Sequence, residues 1–109
     1  MERRNRKQLE EAVQRAKNKK KKALAYYNLG LFHDNNAREV EAIPNYLKAL
    51  EFGLDSKTKA KALAWLASSL YKTGKPRKAL ERIVESQKTA DKQLQKFIVG
   101  LKKRIEKSL

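Results

Sequence analysis

Apolar positions recur at helical spacing along almost the whole chain. Leu9, Ala12, Val13 and Ala16 make a thin stripe in a polar start, at the i, i+3, i+4, i+7 spacing of one helix face. Leu24, Tyr27 and Leu31 form the next stripe, with Tyr26, Leu29, Gly30 and His33 beside it, and predict a helix over 22–33. Val40, Ile43, Leu47 and Leu50 keep the period across Pro44 and predict a helix over 37–52, kinked where proline removes a hydrogen bond. Further helices are expected over 57–72, 76–88 and 91–107. The last carries Leu94, Phe97, Ile98, Leu101 and Ile105 on one face, with its lysines largely elsewhere.

The punctuation agrees with this division. Asp34-Asn35-Asn36 reads as a turn whose side-chain oxygens cap the following helix. Gly53 reads as a helix stop, and Asp55 or Ser56 as the next cap. Thr73-Gly74-Lys75-Pro76 places Gly past one helix end and Pro at the start of another. Thr89-Ala90-Asp91 offers a cap for the last helix.

The middle of the chain is one pattern written twice. Setting Ala42 on Ala79, an offset of 37 residues, puts Leu29 on Leu66, Gly30 on Ala67, Ile43 on Leu80, Tyr46 on Ile83 and Leu47 on Val84. In the first copy Tyr26, Leu29-Gly30, Ala42, Tyr46 and Ala49 give an ordered series of large and small positions. Leu63, Leu66-Ala67, Ala79, Ile83 and Ser86 repeat it in the second. This series resembles the tetratricopeptide repeat, a helix-turn-helix unit of about 34 residues. His33 and Leu70 replace a tyrosine usual in that family, and Leu54 and Asp91 stand where a helix-ending proline is common.

The resemblance implies an all-α superhelix of stacked antiparallel helix hairpins with a C-terminal capping helix. The expected organisation is a basic N-terminal helix or arm over 1–22 and a helical domain over 23–109. That domain divides into repeat 1 at 23–54, repeat 2 at 60–88 and a capping helix at 91–107. Two repeats are fewer than the three usually needed for a continuous core, so either terminal helices complete the stack or two chains associate.

Charge changes the picture of partners. The 109 residues carry a net charge of +15, unevenly spread. Residues 1–22 hold ten Lys/Arg against three acids, 23–56 two against five, and 57–109 fifteen against four. Such a field favours acidic partners. The run Lys17, Lys19, Lys20, Lys21 and Lys22 reads either as a solvated face or as a polyanion-binding arm. No apolar stretch reaches bilayer length, and none follows the charged start Met1-Glu2-Arg3-Arg4, so a cytoplasmic protein without a membrane partner is expected.

Catalytic chemistry finds little support. There is no cysteine, and His33 is the only histidine, at a position that packs in the repeat. No ligand-spaced cluster or phosphate-cradling loop occurs, so no enzyme, metal or cofactor is expected. Recognition is the expected use. By the resemblance, the inner helices line a concave groove. Its partner-binding candidates here are Tyr27, Asn28, Leu31, Lys61, Trp65, Tyr71 and Lys72. Trp65 serves either a partner contact or packing against a terminal helix; tryptophan is enriched at binding hot spots. Some family members grip a terminal carboxylate, but Tyr27, Leu31 and Trp65 stand where that clamp needs other residues, so no such clamp is expected. The expected function is a non-enzymatic interaction module taking an acidic or extended protein segment. The alternative is RNA or DNA binding through the lysine run and the last helix, and self-association is a further option.

Overall fold

Asn5 opens the first helix, α1 (Arg6–Arg15), with a reciprocal cap: its side chain accepts the Gln8 backbone N–H, and the Gln8 side chain accepts the Asn5 N–H. The computed structural model describes residues 5–109; the charged start at Met1-Glu2-Arg3-Arg4 lies outside the described residues. Five further helices follow: α2 (Lys19–Asn35), α3 (Glu39–Phe52), α4 (Ser56–Lys72), α5 (Pro76–Gln87) and α6 (Lys92–Lys107). No strand occurs among the described residues. No described helix is long and apolar enough to cross a membrane.

The chain divides into two units, one ending at Leu54 and the other beginning at Asp55. In the first, α2 pairs with α3 and α1 leans on α2. Leu9 and Val13 of α1 join Ala25 and Leu29 of α2 in a small core, with Ala12, Tyr26 and Phe32 around it. Between α2 and α3 the decisive contact is Gly30 under the ring of Tyr46. A Cβ at Gly30 would stand 2.7 Å from two atoms of that ring, so only glycine lets the helices approach this closely. The Tyr46 hydroxyl donates to Asp34 Oδ2 at 2.9 Å, which satisfies a phenol that is otherwise enclosed.

In the second unit α4 pairs with α5, and α6 packs on α5 and to a lesser extent on α4. Leu63, Leu66, Ala67, Ala79 and Ile83 are buried there. Ser86 Oγ donates to the Ala60 carbonyl at 2.7 Å, tying α5 to α4. Leu94, Ile98, Leu101 and Ile105 bury one face of α6, each contributing roughly 1.5–3 kcal/mol.

The two hairpins repeat at the backbone. Shifting α2 and α4 by 37 residues superimposes their ends, Lys19 on Ser56 and Asn35 on Lys72. Each hairpin turn closes with the same bond, Arg38 N–H to the His33 carbonyl and Lys75 N–H to the Leu70 carbonyl, both 2.8 Å. Each turn also passes through the left-handed region, at Ala37 (φ 56°) and at Gly74 (φ 81°).

Several local expectations change. α2 starts at Lys19, three residues earlier than expected, because Asn18 caps it by accepting the Lys21 N–H at 2.8 Å. Asp34-Asn35-Asn36 does not cap α3. That helix begins after Arg38 with no side-chain cap, Asp34 is taken by Tyr46, and Asn36 donates back to the Phe32 carbonyl. Pro44 lies within α3, and the carbonyl that would have received its missing N–H belongs to the exposed Val40, where water can serve it. Gly53 ends α3 with φ 102°, and Asp55 and Asp91 cap α4 and α6 as expected.

Candidate functional site

Three of the residues singled out on α4, Lys61, Trp65 and Lys72, lie on one stripe, and Tyr71 lies off it. Lys57, Lys61 and Trp65 follow at four-residue intervals, which keeps them on one face, and Lys72 continues that face two turns on. Asp55 sets the start of this helix. Its carboxylate accepts the Thr58 backbone N–H at 2.9 Å and the Thr58 hydroxyl at 3.0 Å. Those hydrogen bonds hold its pKa below the ordinary aspartate value.

Trp65 meets Phe97 of α6 edge to face, with ring centroids 5.0 Å apart and planes at 70°. Both rings are half-buried. They form one wall of a cleft of about 240 Å³ that Lys57, Lys61, Asp91 and Leu94 also line. Two lysines therefore line the cleft together with an aromatic edge. Asp91 supplies the opposing carboxylate, and its Oδ1 is engaged as the α6 cap, accepting the Leu94 N–H at 2.9 Å. The cleft thus combines an apolar aromatic wall with two lysines and one aspartate.

The other candidates are placed differently. Tyr71 is half-buried and Lys72 exposed near the end of α4, and neither lines the cleft with Trp65. In the first unit Tyr27 is buried, its ring 6.2 Å from that of Tyr46. Asn28 is half-buried and lines a shallow cleft with Ala12, Arg15, Lys21 and Leu24, and Leu31 is half-buried.

The lysine run divides. Lys17 precedes α2, while Lys19, Lys20 and Lys21 form its exposed first turn. Lys22 is held over the Phe52 ring at 5.8 Å, and Phe52 stacks on Tyr26 at 5.8 Å with planes 5° apart. Aromatic rings thus do sit beside the lysines, which the sequence order did not reveal.

His33 is buried. Its Nδ1 accepts the Arg38 Nε–H at 3.2 Å, which fixes a neutral imidazole, and the Arg38 guanidinium lies 5.4 Å from the Phe32 ring. Burial first, and the Arg38 charge second, lower its pKa from 6.5. Among the described residues no group of His, Asp and Glu is placed to hold a metal ion.

Sequence reasoning missed Phe97 and Lys57 as parts of the cleft. From the sequence Phe97 reads as part of the buried face of the last helix, and the four-residue spacing of Lys57, Lys61 and Trp65 is the available signal. A family model described as tetratrico peptide repeat matches residues 23–103. No curated protein matches the chain.

Proposed function

The chain belongs to the tetratricopeptide-repeat family, a family of protein-interaction scaffolds, and on that premise we propose that it binds an acidic, extended protein segment through the cleft between α4 and α6. The observation that carries this reading is the pairing of Lys57 and Lys61 with the Trp65–Phe97 edge in one cleft. A carboxylate of the partner meets the lysines while a neighbouring apolar side chain rests on the rings. Lys72 extends the same stripe for further acidic residues. Trp65 has the larger share of the affinity, because aromatic anchors in desolvated clefts dominate binding energies. The work of such a module is recognition rather than catalysis.

Trp65 is the only tryptophan, so its own fluorescence reports on the cleft. Titration with a Glu-rich peptide carrying one phenylalanine should shift the emission, and a Lys-rich counterpart should not. Lys61→Glu should weaken binding about tenfold, the scale of placing like charges together. Trp65→Ala, followed by anisotropy of a labelled peptide, should weaken it at least as much. Unchanged affinity in both variants sinks this reading.

A second reading, binding of single-stranded nucleic acid, is favoured by one observation: Lys22 on the Phe52–Tyr26 stack beside Lys19, Lys20 and Lys21. Single-strand binders combine cations with aromatic rings in this way. Gel shifts with labelled RNA and DNA should then show affinity that falls steeply with salt, is lost on Lys19→Glu/Lys20→Glu and is indifferent to Trp65→Ala.

A further inference from the structure

The side of α6 opposite its buried Leu94, Ile98, Leu101 and Ile105 carries a row of lysines. Lys92, Lys96, Lys103 and Lys107 are all exposed, and their spacing of four, seven and four residues keeps them on one face. At 1.5 Å per residue the row is roughly 22 Å long. Among the described residues no carboxylate pairs with any of the four. The one acid within α6, Glu106, stands at the edge of the row and is exposed. Gly100 lies at the middle of this row, four residues after Lys96 and three before Lys103. Glycine inside a helix is destabilising relative to alanine. At Gly30 the ring of Tyr46 accounts for it, but a Cβ at Gly100 would meet nothing within 4 Å. No packing within the chain uses this bare stretch of helix, whereas a ligand laid along the lysines would, since glycine lets a ligand come close to backbone.

We infer that the outer face of α6 binds the phosphate backbone of double-stranded nucleic acid, with one strand lying along the lysine row and over Gly100. One strand of a duplex presents a phosphate about every 3.4 Å of axis, so each lysine finds an acceptor within reach. Lysine meets phosphate as a point charge and lacks the fork that reads base edges. The row holds no arginine, amide or aromatic side chain, so the contact positions the duplex without reading its sequence. It also lacks the stacking platform that a flexible single strand needs. A membrane surface fits less well, because the apolar face of α6 is buried in the core and Val99, 46% exposed, is the one large apolar side chain along the row. The surrounding field favours the same ligand: residues 55–109 hold fifteen Lys/Arg and five acids.

Anisotropy of labelled 20-base-pair duplexes of mixed sequence, one of DNA and one of RNA, tests the inference on the full chain across a salt series. Four phosphate contacts should give a slope of log affinity against log salt of about −3 to −4 on at least one duplex. Lys96→Gln/Lys103→Gln should flatten that slope by about two and weaken binding roughly tenfold or more at 0.1 M salt. Lys59→Gln/Lys78→Gln removes the same charge from exposed positions off the row and should change the slope by less than about one half. Gly100 provides a test that a merely structural role would not pass. Gly100→Ala and Gly100→Leu should raise the urea midpoint, since both are better helix formers and meet no neighbour, yet weaken duplex binding, the leucine variant more. Poly-glutamate of equal charge and phosphatidylserine vesicles should compete poorly with the duplex. The inference is overturned if neither duplex binds at 0.1 M salt, if the off-row variant loses as much as the row variant, if the Gly100 variants bind as wild type, or if either competitor matches unlabelled duplex. The row shares no residue with the Trp65 cleft or with Lys19, Lys20 and Lys22, so failure here leaves both earlier readings standing, and the converse holds.

Discussion

Tyr46 and Gly30 show how one residue sets another. The ring fills the space that glycine leaves, and in the second repeat the corresponding pair is Ile83 and Ala67. Gly30→Ala should cost about 1–3 kcal/mol by overpacking. Gly30→Ala/Tyr46→Ile, which copies the second repeat, should cost less than the sum of the single changes, a positive coupling read from urea midpoints. His33 supplies a pH dependence. In the unfolded chain it takes a proton near 6.5, whereas the folded chain holds it neutral to lower pH. The unfolded state therefore binds more protons below that value. Stability from this site should be complete above pH 6.5 and be lost as pH falls through the lowered folded pKa. Since His33 is the only histidine, His33→Leu, matching Leu70, should flatten the urea midpoint between neutral and mildly acidic pH.

At the scale of elements, the two hairpins share a turn that needs a left-handed residue. The second repeat places Gly74 there and the first places Ala37. An L-residue in that region costs roughly 1–2 kcal/mol, partly offset by the greater chain entropy that glycine loses on folding. Ala37→Gly should therefore stabilise the chain by about 0.5 kcal/mol and Gly74→Ala destabilise it by about as much or more, both measured by chemical denaturation. The sequence announced this turn in the second repeat, where Gly and Pro stand together. It misled in the first, where Asp34-Asn35-Asn36 invited a capping role. The difference is tertiary: Tyr46 on α3 takes the Asp34 carboxylate, and no local rule for caps foresees a competing donor twelve residues away. Phe97 was missed for a related reason. Helical periodicity says which residues share a face but not where a neighbouring helix stops covering it.

At the scale of the whole molecule, charge is the dominant feature. The acidic stretch lies over 23–56, between strongly basic flanks. Binding of an acidic segment to the second unit should be salt-dependent. The affinity read from Trp65 emission should fall several-fold between 0.05 M and 0.3 M salt, as surface charges are screened, while the emission of the free chain stays constant. A salt-independent affinity would mean that the aromatic edge acts without Lys57 and Lys61.

The order of elements, the duplication and the caps at Asp55 and Asp91 were set by local chemistry: apolar period, turn residues and side-chain oxygens act within a few positions of one another. Packing decided the rest. It placed Lys22 on Phe52, turned Trp65 toward Phe97, and left the Val40 and Val84 faces open, because each depends on which helix lies beside which. Spacing along a chain carries the face of a helix, whereas the neighbour that meets this face is chosen by the summed fit of many side chains remote in sequence.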